Sequence, residues 1–221
     1  MIRLLILLLC VFPCMANAAR VRKHPNPKSV SKVHVNKLKI IVDAGHGGDD
    51  FGTKVGGCIE KIVNLKTAEY VAALLRKGGY EVIMTRKKDV FIPLADRVAA
   101  ANRSKASLMV SIHFNAAQSK EAEGLEIFYF KDGVVEQKNA SKKLADSVMR
   151  TVLNLTKAKS RGVKTGNYYV LRETTIPSIL VEGGFLTNER ELEKIRQDHY
   201  LKTLAQGIVE GIEAYLKPKA S

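Results

Sequence analysis

The chain has 221 residues and a formal net charge of +14. This length suits one domain with its own core, and we see neither an internal repeat nor a second domain. The basic excess favours anionic polymers or surfaces as partners, but no motif of a nucleic-acid-binding module is present, so nucleic acid is excluded as an expected partner.

The first 18 residues have the pattern of a secretory signal peptide. A short basic start, Met1-Ile2-Arg3, is followed by an apolar run from Leu4 to Phe12 and by the cleavage pattern Ala16-Asn17-Ala18. The alternative, a membrane anchor, is disfavoured because the run is too short to span a bilayer. We therefore expect export to the periplasm, or otherwise secretion or association with the cell wall. Cleavage would leave Cys58 as the last cysteine, which we interpret as a small loop residue rather than a metal ligand or reactive thiol.

Residues 19–37 are basic and contain two prolines, Pro25 and Pro27, and no acidic residue. This composition is typical of a solvated linker. It could be a plain linker or could tether the protein to an anionic envelope surface. We expect residues 38–217 to form the catalytic domain and residues 218–221 to form a frayed tail.

Hydrophobic periodicity predicts alternating strands and helices within that domain. The predicted strands are Lys39–Asp43, Tyr80–Thr85, Ser107–His113, Gly124–Phe130, Tyr168–Arg172 and Ser178–Glu182. The predicted helices are Asn64–Lys77, Pro93–Arg103, Ser141–Leu155, Glu189–Gln197 and Tyr200–Tyr215. This order predicts an α/β fold: a three-layer α/β/α domain with a mostly parallel, twisted sheet of about six strands.

Polar side chains occur where three of the predicted apolar strands end. His46 follows the first strand, His113 ends the third and Glu182 ends the last, while Glu60 opens a helix-like segment. In open α/β sheets, sites form at the carboxyl ends of the strands. Two histidines and one glutamate are a known catalytic zinc set that leaves a position for water, and a further glutamate can move protons. The pattern therefore predicts a zinc hydrolase.

Each of these residues has a simpler interpretation when taken alone. The Gly45-His46-Gly47-Gly48 segment could be a tight turn or an anion-binding loop, although the nucleotide-binding glycine motifs are absent. Glu60 could be present simply because a carboxylate at the start of a helix stabilises the helix dipole. His113 could be an ordinary core histidine. Glu182 could form a salt bridge, but burial after an apolar strand would raise its pKa toward neutrality, which suits a general base and acid.

An ordered set of segments from about residue 38 to residue 216 resembles the Amidase_3 family, the zinc-dependent N-acetylmuramoyl-L-alanine amidases of bacterial cell walls. The matching segments are Val42-Asp43-Ala44-Gly45-His46-Gly47-Gly48, Glu60-Lys61 with Asn64-Leu65, Thr85-Arg86, Arg97 with Asn102, Ser111-Ile112-His113-Phe114-Asn115, and Pro177 to Asn188.

The resemblance implies that His46, Glu60 and His113 bind one Zn²⁺ and that Glu182 is the catalytic carboxylate. It also implies peptidoglycan as the substrate, cut between N-acetylmuramic acid and L-alanine of the stem peptide during wall remodelling or daughter-cell separation. Asn115 is expected to help line the site. Asp43 could orient a metal ligand without binding the metal itself, or could form only a hydrogen bond at the end of its strand.

Two other functions stay open at this stage. One is a zinc peptidase that cuts within the stem peptide, although the H-E-x-x-H helix motif is absent. The other is a wall-binding protein without activity. Some family members insert a long helix that blocks the zinc, but the connection Lys131 to Ala140 has no room for it. We therefore expect an enzyme that is not autoinhibited in this way, with an activator protein as an open alternative. We also expect a monomer.

Overall fold

The computed structural model describes residues 37–217. The predicted signal peptide, all of the predicted linker except Lys37, and the predicted tail lie outside the described residues. Among the described helices, none has the length and apolar character needed to cross a membrane.

A six-stranded sheet forms the centre of the domain, and it is parallel except at one pairing. Its strands are β1 (Lys39–Ala44), β4 (Glu81–Met84), β5 (Leu108–Asn115), β6 (Leu125–Tyr129), β7 (Ser160–Thr165) and β8 (Ser178–Phe185), while β2 (Lys54–Val55) and β3 (Cys58–Ile59) form a separate antiparallel hairpin. The order across the sheet is β4-β1-β5-β8-β6-β7, with β6 antiparallel to β8. The predicted mostly parallel sheet is confirmed.

Helices cover both faces of this sheet, which confirms the predicted three layers. They are α1 (Glu60–Lys77), α2 (Leu94–Arg103), α3 (Val135–Thr156), α4 (Tyr169–Arg172), α5 (Glu189–Ile195) and α6 (Asp198–Leu216). Successive strand residues point to opposite faces. Ile40 and Val42 therefore pack in the larger core with α1, α3 and α6, while Ile41 lies in a smaller core with residues of α2 and α4.

The predicted strand at Tyr168–Arg172 is wrong, because Tyr169–Arg172 form the short helix α4 and Tyr168 is its N-cap. Val170 and Leu171 are both buried in the same apolar cluster. A strand would place these neighbours on opposite faces, whereas one helical turn can direct both toward the sheet. The remaining strand of the sheet is instead β7, a polar segment that lacks the apolar pattern used for prediction.

Several element boundaries differ from the prediction in ways that affect the site. α1 begins at Glu60 and α3 at Val135, each earlier than expected. β5 continues to Asn115 and β8 continues to Phe185. His113 and Glu182 are therefore paired residues inside neighbouring strands rather than terminal residues.

Candidate metal centre

His46 lies in the turn that follows β1 and has a left-handed backbone conformation, with φ of 61°. Its Nδ1 atom is 2.8 Å from the Asp50 carboxylate. This contact directs Nε2 of His46 toward Glu60, whose Oε1 atom is 3.1 Å away. A carboxylate behind a ligating histidine fixes the orientation of its ring. Asp50 was not predicted from the sequence, although its position four residues after His46 was a usable signal.

Glu60 connects the two histidines from the first turn of α1. Its Oε1 atom lies 3.1 Å from Nε2 of His46 and 3.1 Å from Nδ1 of His113. Its Oε2 atom accepts a hydrogen bond of 2.9 Å from the backbone N–H of Thr53. Burial alone would raise the pKa of Glu60, but the hydrogen bonds and charges of His113 and His46 hold that pKa well below its usual range. Glu60 is therefore ionised and available as a ligand.

The side chain of His113 reaches this site because Gly45 has no side chain. A Cβ atom on Gly45 would lie 2.2 Å from Cε1 of His113. The two imidazole rings consequently approach to 4.9 Å between centroids. One donor atom from each of His46, Glu60 and His113 lies within 4.8 Å of the others. Two imidazole nitrogens and one carboxylate oxygen at this separation fit a catalytic zinc site with an open position.

Glu182 lies beside this cluster, in register with His113. The residue is 8% exposed, and its Oε2 atom is buried without a hydrogen-bond partner. Burial, reinforced by the charges of Glu60 and Glu126 and opposed by His113 and His46, raises the pKa of Glu182 to about 7. An unpaired buried carboxylate is costly to fold, which makes a purely structural role a poor explanation of this residue.

Asp43 forms no hydrogen bond with the side chain of any of the three predicted ligands. Its carboxylate accepts hydrogen bonds from Thr85 and Ser111, both 2.6 Å, and from Nη1 of Arg97 at 2.8 Å. Nη2 of Arg97 in turn donates to the backbone carbonyl of His46 at 2.8 Å. Asp43 is therefore connected to the His46 turn through Arg97. No role was assigned to Arg97 from the sequence, although its place among the segments that resemble the family was a usable signal.

The candidate ligands and Glu182 line a cleft of about 610 Å³. Asn115 also lines the cleft, and its amide donates a hydrogen bond of 2.9 Å to Glu126. Exposed apolar and aromatic side chains form much of the rim. These are Phe91, Leu94, Tyr168 and Tyr169. The cleft thus combines an apolar rim with a few polar groups at its base, as small-molecule and substrate sites commonly do.

Comparisons with known proteins agree with this geometry. Residues 40–214 match the Amidase_3 family model, described as N-acetylmuramoyl-L-alanine amidase. The chain is 35% identical over 199 residues to the N-acetylmuramoyl-L-alanine amidase LytC of Bacillus subtilis, with 87% of this chain and 40% of LytC covered. The chain therefore spans less than half of that relative's length.

Solved structures give the same result. The N-acetylmuramoyl-L-alanine amidase of Clostridium difficile 630 superposes with a TM-score of 0.79 at 39% identity, covering 84% of this chain and 100% of that one. The CwlD amidase of Clostridioides difficile, solved in complex with the GerS lipoprotein, has a TM-score of 0.77 at 32% identity, covering 81% of this chain and 98% of that one. The chain belongs to the Amidase_3 family of N-acetylmuramoyl-L-alanine amidases.

Proposed function

We propose that this peptidoglycan amidase binds one Zn²⁺ through His46, Glu60 and His113 and uses Glu182 to transfer protons. The bond cut is the amide between N-acetylmuramic acid and L-alanine of the stem peptide. The observation that carries this proposal is the position of Glu182. Its Oε2 atom is buried without a hydrogen-bond partner, the residue pairs with His113 on the neighbouring strand, and it lines the same cleft as the three candidate ligands.

The donor set favours zinc because imidazole and carboxylate are among its usual ligands and three protein ligands leave a catalytic position open. The bound metal would supply Lewis-acid polarisation of the scissile carbonyl and would lower the pKa of water. Asp50 orients His46, and the Thr53 N–H holds the second oxygen of Glu60. These contacts leave Nε2 of His46 and Oε1 of Glu60 3.1 Å apart.

Glu182 has the properties that a proton carrier needs. Its pKa of about 7 makes both the ionised and the protonated forms accessible near neutral pH. The ionised carboxylate accepts a proton from the attacking water. The resulting carboxylic acid then donates that proton to the nitrogen of L-alanine as the amide bond breaks. The lack of a hydrogen-bond partner for Oε2 keeps this oxygen free for the transfer.

The place of action that we propose is outside the cytoplasm, in the cell wall, and it is supported by a relative from Staphylococcus saprophyticus that is named a probable cell wall amidase. We propose wall remodelling or daughter-cell separation as the role, with export through residues 1–18 and delivery to the periplasm or to the cell surface. The basic residues 19–37 would add attraction to an anionic envelope surface.

The test is digestion of purified peptidoglycan by the mature protein, with and without a chelator, followed by mass spectrometry of the released peptides. We expect chelator-sensitive release of intact stem peptides that begin with a free L-alanine amino group. Cuts elsewhere in the stem would instead identify a zinc peptidase. Zinc binding without release of peptides from peptidoglycan, and without cleavage of a muropeptide substrate, would identify a wall-binding protein.

A further inference from the structure

A second polar cluster lies next to the cleft, and none of its residues transfers a proton in the mechanism above. We call it the Glu126 cluster, and it consists of Glu126, Arg161, Lys164 and Asn115. Oε1 of Glu126 accepts hydrogen bonds from Nε of Arg161 at 2.5 Å and from Nζ of Lys164 at 2.6 Å. Oε2 of Glu126 accepts the amide hydrogen of Asn115 at 2.9 Å. One buried carboxylate thus holds two cations on one oxygen.

The charge of this cluster is not balanced. Glu126 is 4% exposed. Burial alone would raise the pKa of Glu126, but the hydrogen bonds and charges of Arg161 and Lys164 outweigh burial and hold that pKa below its usual value. The ionised glutamate offsets one of the two cations, which leaves one positive charge in excess. The side chains of Arg161 and Lys164 are 37% and 40% exposed. Their remaining N–H groups are therefore accessible to an anion from solvent.

The guanidinium group of Arg161 is also fixed from a second side. It lies 5.0 Å from the centre of the Phe185 ring, and Phe185 is buried. A cation held both by an aromatic face and by a carboxylate loses little further freedom on binding a ligand. Planar guanidinium donors match carboxylates in particular, because they can offer two parallel N–H groups.

The position of the cluster follows from strand register. His113 of β5 pairs with Glu182 of β8, and Glu182 pairs with Glu126 of β6. Paired residues project from the same face, so His113, Glu182 and Glu126 form one row across the sheet. Neighbouring strands are separated by about 4.8 Å. Arg161 and Lys164, on the next strand β7, therefore lie on the order of 5–10 Å from Glu182 along this row.

Two residues connect the cluster to the cleft. Asn115 lines the cleft and donates to Glu126. Tyr168 also lines the cleft, and burial together with the charges of Glu182 and Glu126 raises the pKa of its hydroxyl group. The ring of Tyr168 packs edge-on against the ring of Phe128, a residue of β6 like Glu126, with 5.2 Å between the centroids. A substrate bound over Glu182 can extend past Asn115 and Tyr168 toward the two cations.

We propose that Arg161 and Lys164, positioned by Glu126, bind a carboxylate of the stem peptide. This proposal rests on the proposed function, which places the scissile amide at Glu182. An extended peptide advances about 3.3–3.6 Å per residue, so the span from Glu182 to the cations corresponds to roughly two residues. The carboxylate is therefore that of the residue that follows L-alanine. The cluster makes the enzyme selective for stem peptides in which this group is free rather than amidated.

Binding of the product peptide tests this selectivity without requiring cleavage. The probes are two stem peptides that begin with L-alanine, one with a free carboxylate on the second residue and the other with a carboxamide there. Calorimetric titration into the zinc-loaded protein should give a dissociation constant about fivefold lower for the carboxylate peptide, as suits a partly exposed ion pair. Lys164→Gln should remove this preference by weakening the carboxylate peptide alone.

Lys142→Gln is the matched control, because Lys142 lies on the exposed surface of α3, where it pairs with Asp146. It removes the same charge and should retain the preference. Arg161→Gln is a second variant, and thermal unfolding checks that both cluster variants are folded. Equal binding of the two peptides by the unaltered protein would overturn the proposal, as would a preference that survives both cluster substitutions. A protein that shows the preference but cuts no peptidoglycan would overturn the proposed function and leave this subsite standing.

Discussion

At the scale of single residues, the candidate metal centre depends on side chains that hold the ligands as much as on the ligands themselves. His46 has a left-handed backbone, and its ring is oriented by Asp50 while its carbonyl is held by Arg97. The candidate ligands and their places along the chain could be proposed from the sequence. The partners Asp50 and Arg97 were not predicted, because their contacts depend on the conformation of the turn after β1.

Asp50→Asn provides a direct test of this support. The variant removes the charge that faces Nδ1 of His46, and loss of such a carboxylate typically weakens metal binding by about 10- to 100-fold. We expect this loss in a competition with a chromogenic chelator. Asp49→Asn is the matched control, since Asp49 is the exposed neighbour and should leave the affinity unchanged. Equal affinities in both variants would contradict an orienting role for Asp50.

At the scale of elements, a buried ion pair joins β1 to α2. Asp43 and Arg97 are 1% and 2% exposed and lie 2.8 Å apart. Burial alone would raise the pKa of Asp43, but Arg97 and the hydrogen bonds from Ser111 and Thr85 hold it below its usual value. Removing one partner of such a pair leaves an uncompensated buried charge.

This pair predicts part of the response to acid. Because the pKa of Asp43 is lower in the folded than in the unfolded protein, its contribution is present above the unfolded value of about 3.9 and is lost as pH falls through the lower folded value. The free energy of unfolding, measured with urea between pH 6 and pH 3, should therefore fall with acidification. The fall should be smaller in Asp43→Asn, which starts less stable. Identical slopes would contradict this assignment.

The packing of α3 on α6 requires a small residue at Gly211. A Cβ atom there would lie 2.4 Å from Cα of Val148 and 2.6 Å from Oγ1 of Thr151. Alanine favours a helix by about 1 kcal/mol over glycine, but overpacking costs about 1–3 kcal/mol. We expect Gly211→Ala to lower the unfolding free energy and Gln206→Ala, partly exposed on the same helix, to change it little. A more stable Gly211→Ala variant would show that the helices separate without cost.

Predictability differed between elements for physical reasons. The apolar strands β1, β5 and β8 are buried on both faces, so their sequences are nearly continuous hydrophobic runs. β7 is a polar edge strand, and the β2–β3 hairpin is short and turns at Gly56-Gly57. Neither gives a hydrophobic pattern. At α4, burial of adjacent residues overrides the strand preference of tyrosine and valine.

At the scale of the whole molecule, the connection between β6 and α3 bears on regulation. Within the described part of the chain, only residues 130–134 separate these two elements, so no helix is inserted there. The related CwlD amidase was solved in complex with the GerS lipoprotein. We nevertheless expect the purified mature protein to be an active monomer. Hydrolysis of peptidoglycan should proceed at the same rate with and without added envelope lipoproteins, and activity that requires them would contradict this expectation.

The central claim is that His46, Glu60 and His113 hold the metal while Glu182 only moves protons. The most direct measurement is the zinc content of Glu182→Gln and His46→Ala, made together with their rates of amide hydrolysis on a muropeptide. We predict that Glu182→Gln retains one zinc and loses roughly 10²–10⁴-fold in rate, whereas His46→Ala loses the metal. Loss of zinc from Glu182→Gln, or a rate close to that of the unaltered protein, would contradict the account.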